Sequence, residues 1–161
     1  MRRLMRGLLL LGLTLGLMGA GLSACSPKLP EGVDESALVE AIGRSIGSPS
    51  TCVVIGDEKG RLVWRAGGYV TCARTLPTCD GAETTAEALL KTSAGKPARF
   101  FSCPNPAVAA NTVGWAIGPV PASPGKPSQA LTYVAVMEGE KALPGLEIQD
   151  RVERAFKKAG F

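Results

Sequence analysis

A chain of 161 residues has the length of one domain, and its make-up, 45% hydrophobic and 20% charged with 20 glycines and 12 prolines, is that of a folded protein rather than a disordered one. It contains no histidine, which excludes every His-based triad, His metal ligand and imidazole pH switch within the chain. The formal charge of +4 owes much to Arg2, Arg3 and Arg6; without them 15 basic side chains face 14 acidic ones. Those charges are interspersed, with no basic stripe, so no nucleic-acid partner is expected.

The head of the chain has the three parts of a secretory signal. Basic Met1 to Arg6 precedes an apolar run from Gly7 to Leu22, and small residues follow. The run falls short of the ~20 residues that a membrane-spanning helix needs. It closes on Leu22-Ser23-Ala24-Cys25, which resembles the lipobox of bacterial lipoproteins. The resemblance implies that residues 1–24 are removed and that Cys25 is diacylated on sulfur. Cys25 would then be the first of 137 mature residues and the anchor to the membrane, since two or three acyl chains hold where one does not. Ser26 is the residue type that, in enterobacterial lipoproteins, permits transfer to the outer membrane, so the expected address is its periplasmic face. Residues 25–33, with Pro27, Pro30 and Gly32, are expected to be the lipidated cysteine and a tether holding the domain off the bilayer. One domain then fills residues 34–161.

Along that domain, Asp34 is a natural N-cap for a helix whose Leu38, Val39, Ile42 and Ile46 recur at helical spacing. Gly47 and Pro49 stop it. Two runs, Thr51 to Ile55 and Arg61 to Arg65, flank Asp57-Glu58-Lys59-Gly60 and read as a hairpin. Gly67-Gly68 is expected to bend the second strand before Tyr69 to Cys72. Thr84-Thr85-Ala86-Glu87 spells a capping box, opening a helix that ends at Gly95 and Pro97. Arg99 to Cys103 reads as a short edge strand. Asn111 to Gly118, with Val113, Trp115 and Ile117 at period two, and Leu131 to Met137 read as two further strands. Pro119 to Ala130, with four prolines, is expected to be an exposed loop. The last helix is the clearest: Ile148, Val152, Ala155, Phe156 and Ala159 form one stripe, with acidic residues leading and basic ones closing.

The predicted class is α+β, an antiparallel sheet of four to five strands flanked by helices in the order α-β-β-α-β-β-α. In element order over residues 34–160 this resembles the profilin-like, longin or roadblock group of α/β sandwiches, most closely in its opening helix and hairpin.

With Cys25 assigned to lipid, Cys52, Cys72, Cys79 and Cys103 remain. An even number in an exported chain is the signature of two disulfides. A four-cysteine zinc site would want a C-x2-C knuckle, and the spacings here are 19, 6 and 23 residues. Of the three connectivities, which sequence does not choose among, the preferred one joins Cys72 to Cys79 and Cys52 to Cys103.

Catalytic signals fail on context. Ser93-Ala-Gly-Lys96 and Ser123-Pro-Gly-Lys126 spell S-x-x-K, but the chemistry needs Ser and Lys one helical turn apart, and glycine and proline break both turns. Lys96 is followed by proline, which removes the nucleotide-loop reading. The pairs Asp57/Glu58 and Glu138/Glu140 fall in predicted turns, Trp64 and Trp115 read as core, and Tyr69, Tyr133 and lysines are the remaining chemical groups. No metal and no cofactor is expected. The loops Cys72 to Asp80 and Pro119 to Ala130 are the expected contact surfaces. The sequence therefore points to a non-enzymatic, lipid-anchored envelope protein that binds another envelope protein or a cell-wall component. A small-molecule sensor or carrier with a pocket near Trp64 or Trp115 is the alternative, and an envelope hydrolase comes third.

Overall fold

The computed structural model describes residues 28–122 and 130–161. Elements follow in the order α1 (Glu35–Ile46), β1 (Thr51–Gly56), β2 (Leu62–Gly67), α2 (Tyr69–Ala73), β3 (Leu76–Pro77), β4 (Glu83–Thr84), α3 (Ala86–Ser93), β5 (Arg99–Pro104), β6 (Thr112–Pro119), β7 (Thr132–Gly139) and α4 (Gly145–Lys158). Five strands form one antiparallel sheet in the order β2-β1-β7-β6-β5, and β3 pairs with β4 in a separate two-stranded hairpin. The α+β class read from the sequence is the class of the fold.

Both faces of the sheet are covered, which explains the near-continuous apolar character of its central strands. Successive residues of a strand point to opposite faces. Val53, Ile55, Tyr133, Ala135 and Met137 meet the buried side of α1 and α4, while Cys52, Val54, Val134, Val136, Trp115 and Ile117 meet α3 and Cys72 of α2. Strand β6 shows the same division in a sharper form. Its large residues, Val113, Trp115 and Ile117, face α3, and Gly114, Ala116 and Gly118 stand on the α4 side. The small residues let α4 approach. A Cβ on Gly114 would sit 2.2 Å from the Leu143 carbonyl oxygen and 2.8 Å from Ile148 Cδ1, and one on Gly145 would sit 2.4 Å from the Trp115 carbonyl oxygen.

Local chemistry accounts for most element boundaries. Asp34 caps α1 by accepting the Ala37 N–H at 3.0 Å. At the β1–β2 turn, Asp57 Oδ1 accepts the backbone N–H groups of Lys59 and Arg61, both at 2.9 Å, and Gly60 takes the left-handed conformation at φ +71°. Helix α4 is tied to α1 by Arg151, which donates to the Ser45 carbonyl at 2.9 Å. Its end is closed by Phe161, stacked edge-on against Phe156 at 5.3 Å.

Four expectations require correction. Tyr69 to Cys72 is helical, not a bent continuation of β2: Gly67, at φ +107° with its α-carbon against the Thr51 carbonyl, turns the chain back over β1. Val39 is 50% exposed, and Ala41 takes its place on the buried face of α1. The N-cap of α3 is Thr85, whose hydroxyl accepts the Ala88 N–H at 3.1 Å; Glu87 lies one position too early to close a capping box and pairs with Arg65 instead. Residues 28–33 are also not a spacer. Leu29 and Val33 pack against the core, and the Asp34 N–H donates to the Ala159 carbonyl at 3.1 Å.

Candidate functional site

The β3–β4 hairpin, the start of α3 and edge strand β5 enclose a cleft of about 530 Å³. Arg99, Phe101 and Cys103 alternate along β5 toward this side of the sheet, and Phe101 packs on Trp115 with ring centroids 6.2 Å apart. The hairpin forms the opposite wall. Its tip is built from Thr78 to Ala82: Thr78 N–H donates to the Ala82 carbonyl at 2.8 Å, and the Thr78 hydroxyl donates to Asp80 Oδ1 at 2.6 Å. That hydroxyl, with the Ala82 N–H, holds the Asp80 carboxyl below its ordinary value, so the wall carries a fixed negative charge. Arg99 supplies the positive charge across the cleft, and its guanidinium donates to Ser93 Oγ at 3.2 Å. The site therefore offers an aromatic floor between fixed charges of opposite sign, a lining suited to a ligand with both polar and apolar groups.

Two buried polar anchors brace it. The Trp115 indole N–H donates to the Pro77 carbonyl at 3.0 Å, pinning the hairpin to the sheet. Glu138, on β7, accepts from Asn105 at 2.5 Å and from Asn111 at 3.4 Å, and pairs with Arg74 at 2.5 Å. Its side chain is 3% exposed. The expectation of a solvated turn carboxylate thus fails for Glu138, whereas Glu140 does lie in the turn after β7. Because all its partners are structural donors, Glu138 works as a clasp joining the segment after α2 and the β5–β6 loop to β7.

The cysteines are paired differently from the preferred reading. Cys52 on β1 and Cys72 on α2 form a disulfide with Cα atoms 5.1 Å apart, both fully buried. The helix that replaces the expected strand is the reason, since it lays Cys72 over the outward side of Cys52. Cys79 and Cys103 are left as thiols, Cys79 exposed and Cys103 half-buried. Burial pushes the Cys103 thiol up to about 12, with the adjacent Cys79 thiol acting in the same direction.

The other chemical candidates are occupied by structure. Ser93 is the last, buried residue of α3 and Lys96 lies beyond it in the turn, so the pair shares no helical turn. Trp115 is fully buried. Trp64 is 6% exposed and, with Leu29, Pro30 and Val33, borders a separate cavity of about 350 Å³. Tyr133 is held protonated by burial, with Glu153 beside its hydroxyl raising it further. Among the described residues no group of three or more metal-ligating side chains comes together, and no helix is long and apolar enough to cross a membrane. Cys25, the segment expected to be an export signal, and Ser123 to Lys126 lie outside the described residues.

Sequence reasoning picked the Cys72 to Asp80 segment as a contact surface and read β5 as an edge strand, but missed the β3–β4 hairpin, which runs past that segment, and the cleft between the two. The one available signal was the alternation Arg99, Phe101, Cys103. No protein-family model, no curated protein and no solved structure matches this chain.

Proposed function

We propose that this is a lipid-anchored cell-envelope protein that binds another envelope protein or a cell-wall component without catalysing a reaction on it. The anchor rests on the Leu22-Ser23-Ala24-Cys25 box. A buried disulfide, Cys52–Cys72, is in keeping with an oxidising compartment. The sandwich of helices about an antiparallel sheet supports the profilin-like, longin or roadblock resemblance as a proposal about fold group.

What supports the reading is that residues 28–33 lie at the β2 edge of the sheet, opposite the cleft at β5. Residues 28–33 reach the β2 edge, where Leu29 and Pro30 border the same cavity as Val63 and Trp64. Three peptide units separate Cys25 from Lys28, a span of at most ~11 Å. An acylated Cys25 therefore keeps the β2 edge close to the bilayer. Four strand spacings, roughly 19 Å, separate that edge from β5, so the cleft is turned toward the periplasm on the outer membrane's inner face. A chain without histidine, with Ser93 buried and Tyr133 held protonated, supports binding over turnover.

Two measurements test this. Cys25→Ser should leave the precursor uncleaved and free of labelled fatty acid; cleavage after Ala24 in that variant refutes the anchor. A photo-crosslinking residue at Glu83, beside the cleft, should capture an envelope component that one at Arg61, near the β2 edge, does not. Equal capture at both positions refutes the cleft as the binding face.

A further inference from the structure

The two thiols left over by the Cys52–Cys72 bridge meet beside the cleft. Cys103 Sγ lies 3.8 Å from the Pro77 carbonyl oxygen, two residues before Cys79, and the Cys79 thiol is near enough to help push the Cys103 thiol up. Each sits on backbone fixed by other bonds. Cys103 is in register with Val113 in the β5–β6 ladder, and Cys79 is held in the hairpin tip by the Thr78 N–H to Ala82 and Gly81 N–H to Thr78 bonds, at 2.8 and 3.0 Å. Cys79 is two residues from Pro77, at most ~7 Å along the chain, so the bridge calls for side-chain rotation and a shift of the hairpin tip, with the sheet left as it is.

We infer that Cys79 and Cys103 form a reversible disulfide that clips the hairpin tip to edge strand β5 and fixes the outer wall of the cleft, while Cys52–Cys72 stays closed beneath it. The difference between the two pairs is access. Cys52 and Cys72 are 0% and 1% exposed, beyond the reach of a small reductant in the folded protein, whereas Cys79 is open to solvent. The oxidant is a disulfide, either a small one such as oxidised glutathione or one carried by a protein. Cys79 attacks one of its sulfurs, forming a mixed disulfide and releasing the first thiol. Cys103 gives up its proton and attacks Cys79 Sγ, closing the bridge and releasing the second thiol. The protein loses two electrons and two protons; the oxidant disulfide gains both and leaves as two thiols. The inference concerns the width of the cleft and stands whether or not Cys25 is lipidated.

The full-length protein, purified in detergent, is equilibrated in glutathione buffers from reducing to oxidising, quenched with N-ethylmaleimide and mapped by peptide mass. Labelling of Cys79 and Cys103 should be lost together, with their two peptides joined and two hydrogens missing, while Cys52 and Cys72 stay unlabelled throughout. Hydrogen exchange at the Thr78 and Gly81 amides should slow on oxidation. In Cys103→Ser, Cys79 should instead keep glutathione as a stable adduct. Persistent labelling of both cysteines in oxidising buffer, a lasting glutathione adduct on Cys79 of the unmutated protein, or Cys79 joined to Cys79 of a second copy overturns the bridge. Reduction of Cys52–Cys72 at the same potential overturns the division of roles, and unchanged exchange at Thr78 and Gly81 overturns the clip.

Discussion

Replacing both Cys52 and Cys72 by alanine removes the buried bridge without leaving an unpaired thiol. The two residues are 20 apart in sequence, and the chain-entropy cost of closing a loop of that length in the unfolded state amounts to about 3 kcal/mol. Both side chains are fully buried between β1, α2 and α3, so the space vacated by two sulfurs adds about 1 kcal/mol. A loss of about 4 kcal/mol is a large fraction of the ~5–15 kcal/mol that stabilises an ordinary domain. It should lower the melting temperature by roughly 12 °C. The fluorescence of Trp64 and Trp115, both in the core, reports unfolding in urea or on heating. Unmutated protein heated in strong reductant should approach the variant's midpoint. A loss below about 1 kcal/mol, or alkylation of Cys52 or Cys72 in denatured, unreduced protein, would refute the reasoning.

Three further outcomes follow from the same geometry. Gly114→Ala drives a methyl into the Leu143 carbonyl and should cost about 3 kcal/mol, whereas Gly43→Ala, in an exposed turn of α1 with nothing nearby, should stabilise by about 0.5–1 kcal/mol; denaturant titration of both checks the contrast. Glu138→Ala strands Asn105 and frees Arg74, and should cost about 2 kcal/mol, with faster hydrogen exchange at the Asn105 and Asn111 amides. Asp34 and Asp80 titrate below their ordinary value because the hydroxyls of Ser36 and Thr78, with backbone N–H groups, stabilise the carboxylates. The unfolded chain therefore takes up their protons first as acid is added, so this contribution is complete above the ordinary carboxyl range and is lost as the pH falls through the lowered folded values. Melting temperature followed from pH 6 toward pH 2 should fall less in an Asp34→Asn, Asp80→Asn double variant.

The elements legible in the sequence are those whose signal is local. The alternation of Val113, Trp115 and Ile117, the apolar stripe of α4 and the Asp57 to Gly60 turn each encode their own geometry within about ten residues, and each is where it was expected. Helix α2 was not legible, because a five-residue segment carries too little periodicity to separate helix from strand. What decides it is the disulfide and the packing of Cys72 over β1, a contact 20 residues away. Glu138 was hidden for a related reason: it follows an apolar run and precedes Gly139, the pattern of a turn, while the donors that bury it come from residues 74, 105 and 111.

The disulfide pairing and the cleft share this dependence on tertiary placement. The preferred pairing of Cys72 with Cys79 assumed that nearness along the chain decides, closing a loop of six residues. The helix formed by Tyr69 to Ala73 turns Cys72 inward onto β1, and the hairpin that follows carries Cys79 outward to β5. Two cysteines seven positions apart are thereby assigned to opposite environments, one sealed in the core and the other open to solvent. A cleft wall attached at its base by the Trp115 to Pro77 hydrogen bond and carrying the Cys79 thiol at its tip has one end fixed by packing and the other within reach of external chemistry. Opening of this wall therefore leaves the sheet and the buried bridge intact, because neither Cys52, Cys72 nor the β1–β7 pairing passes through the hairpin.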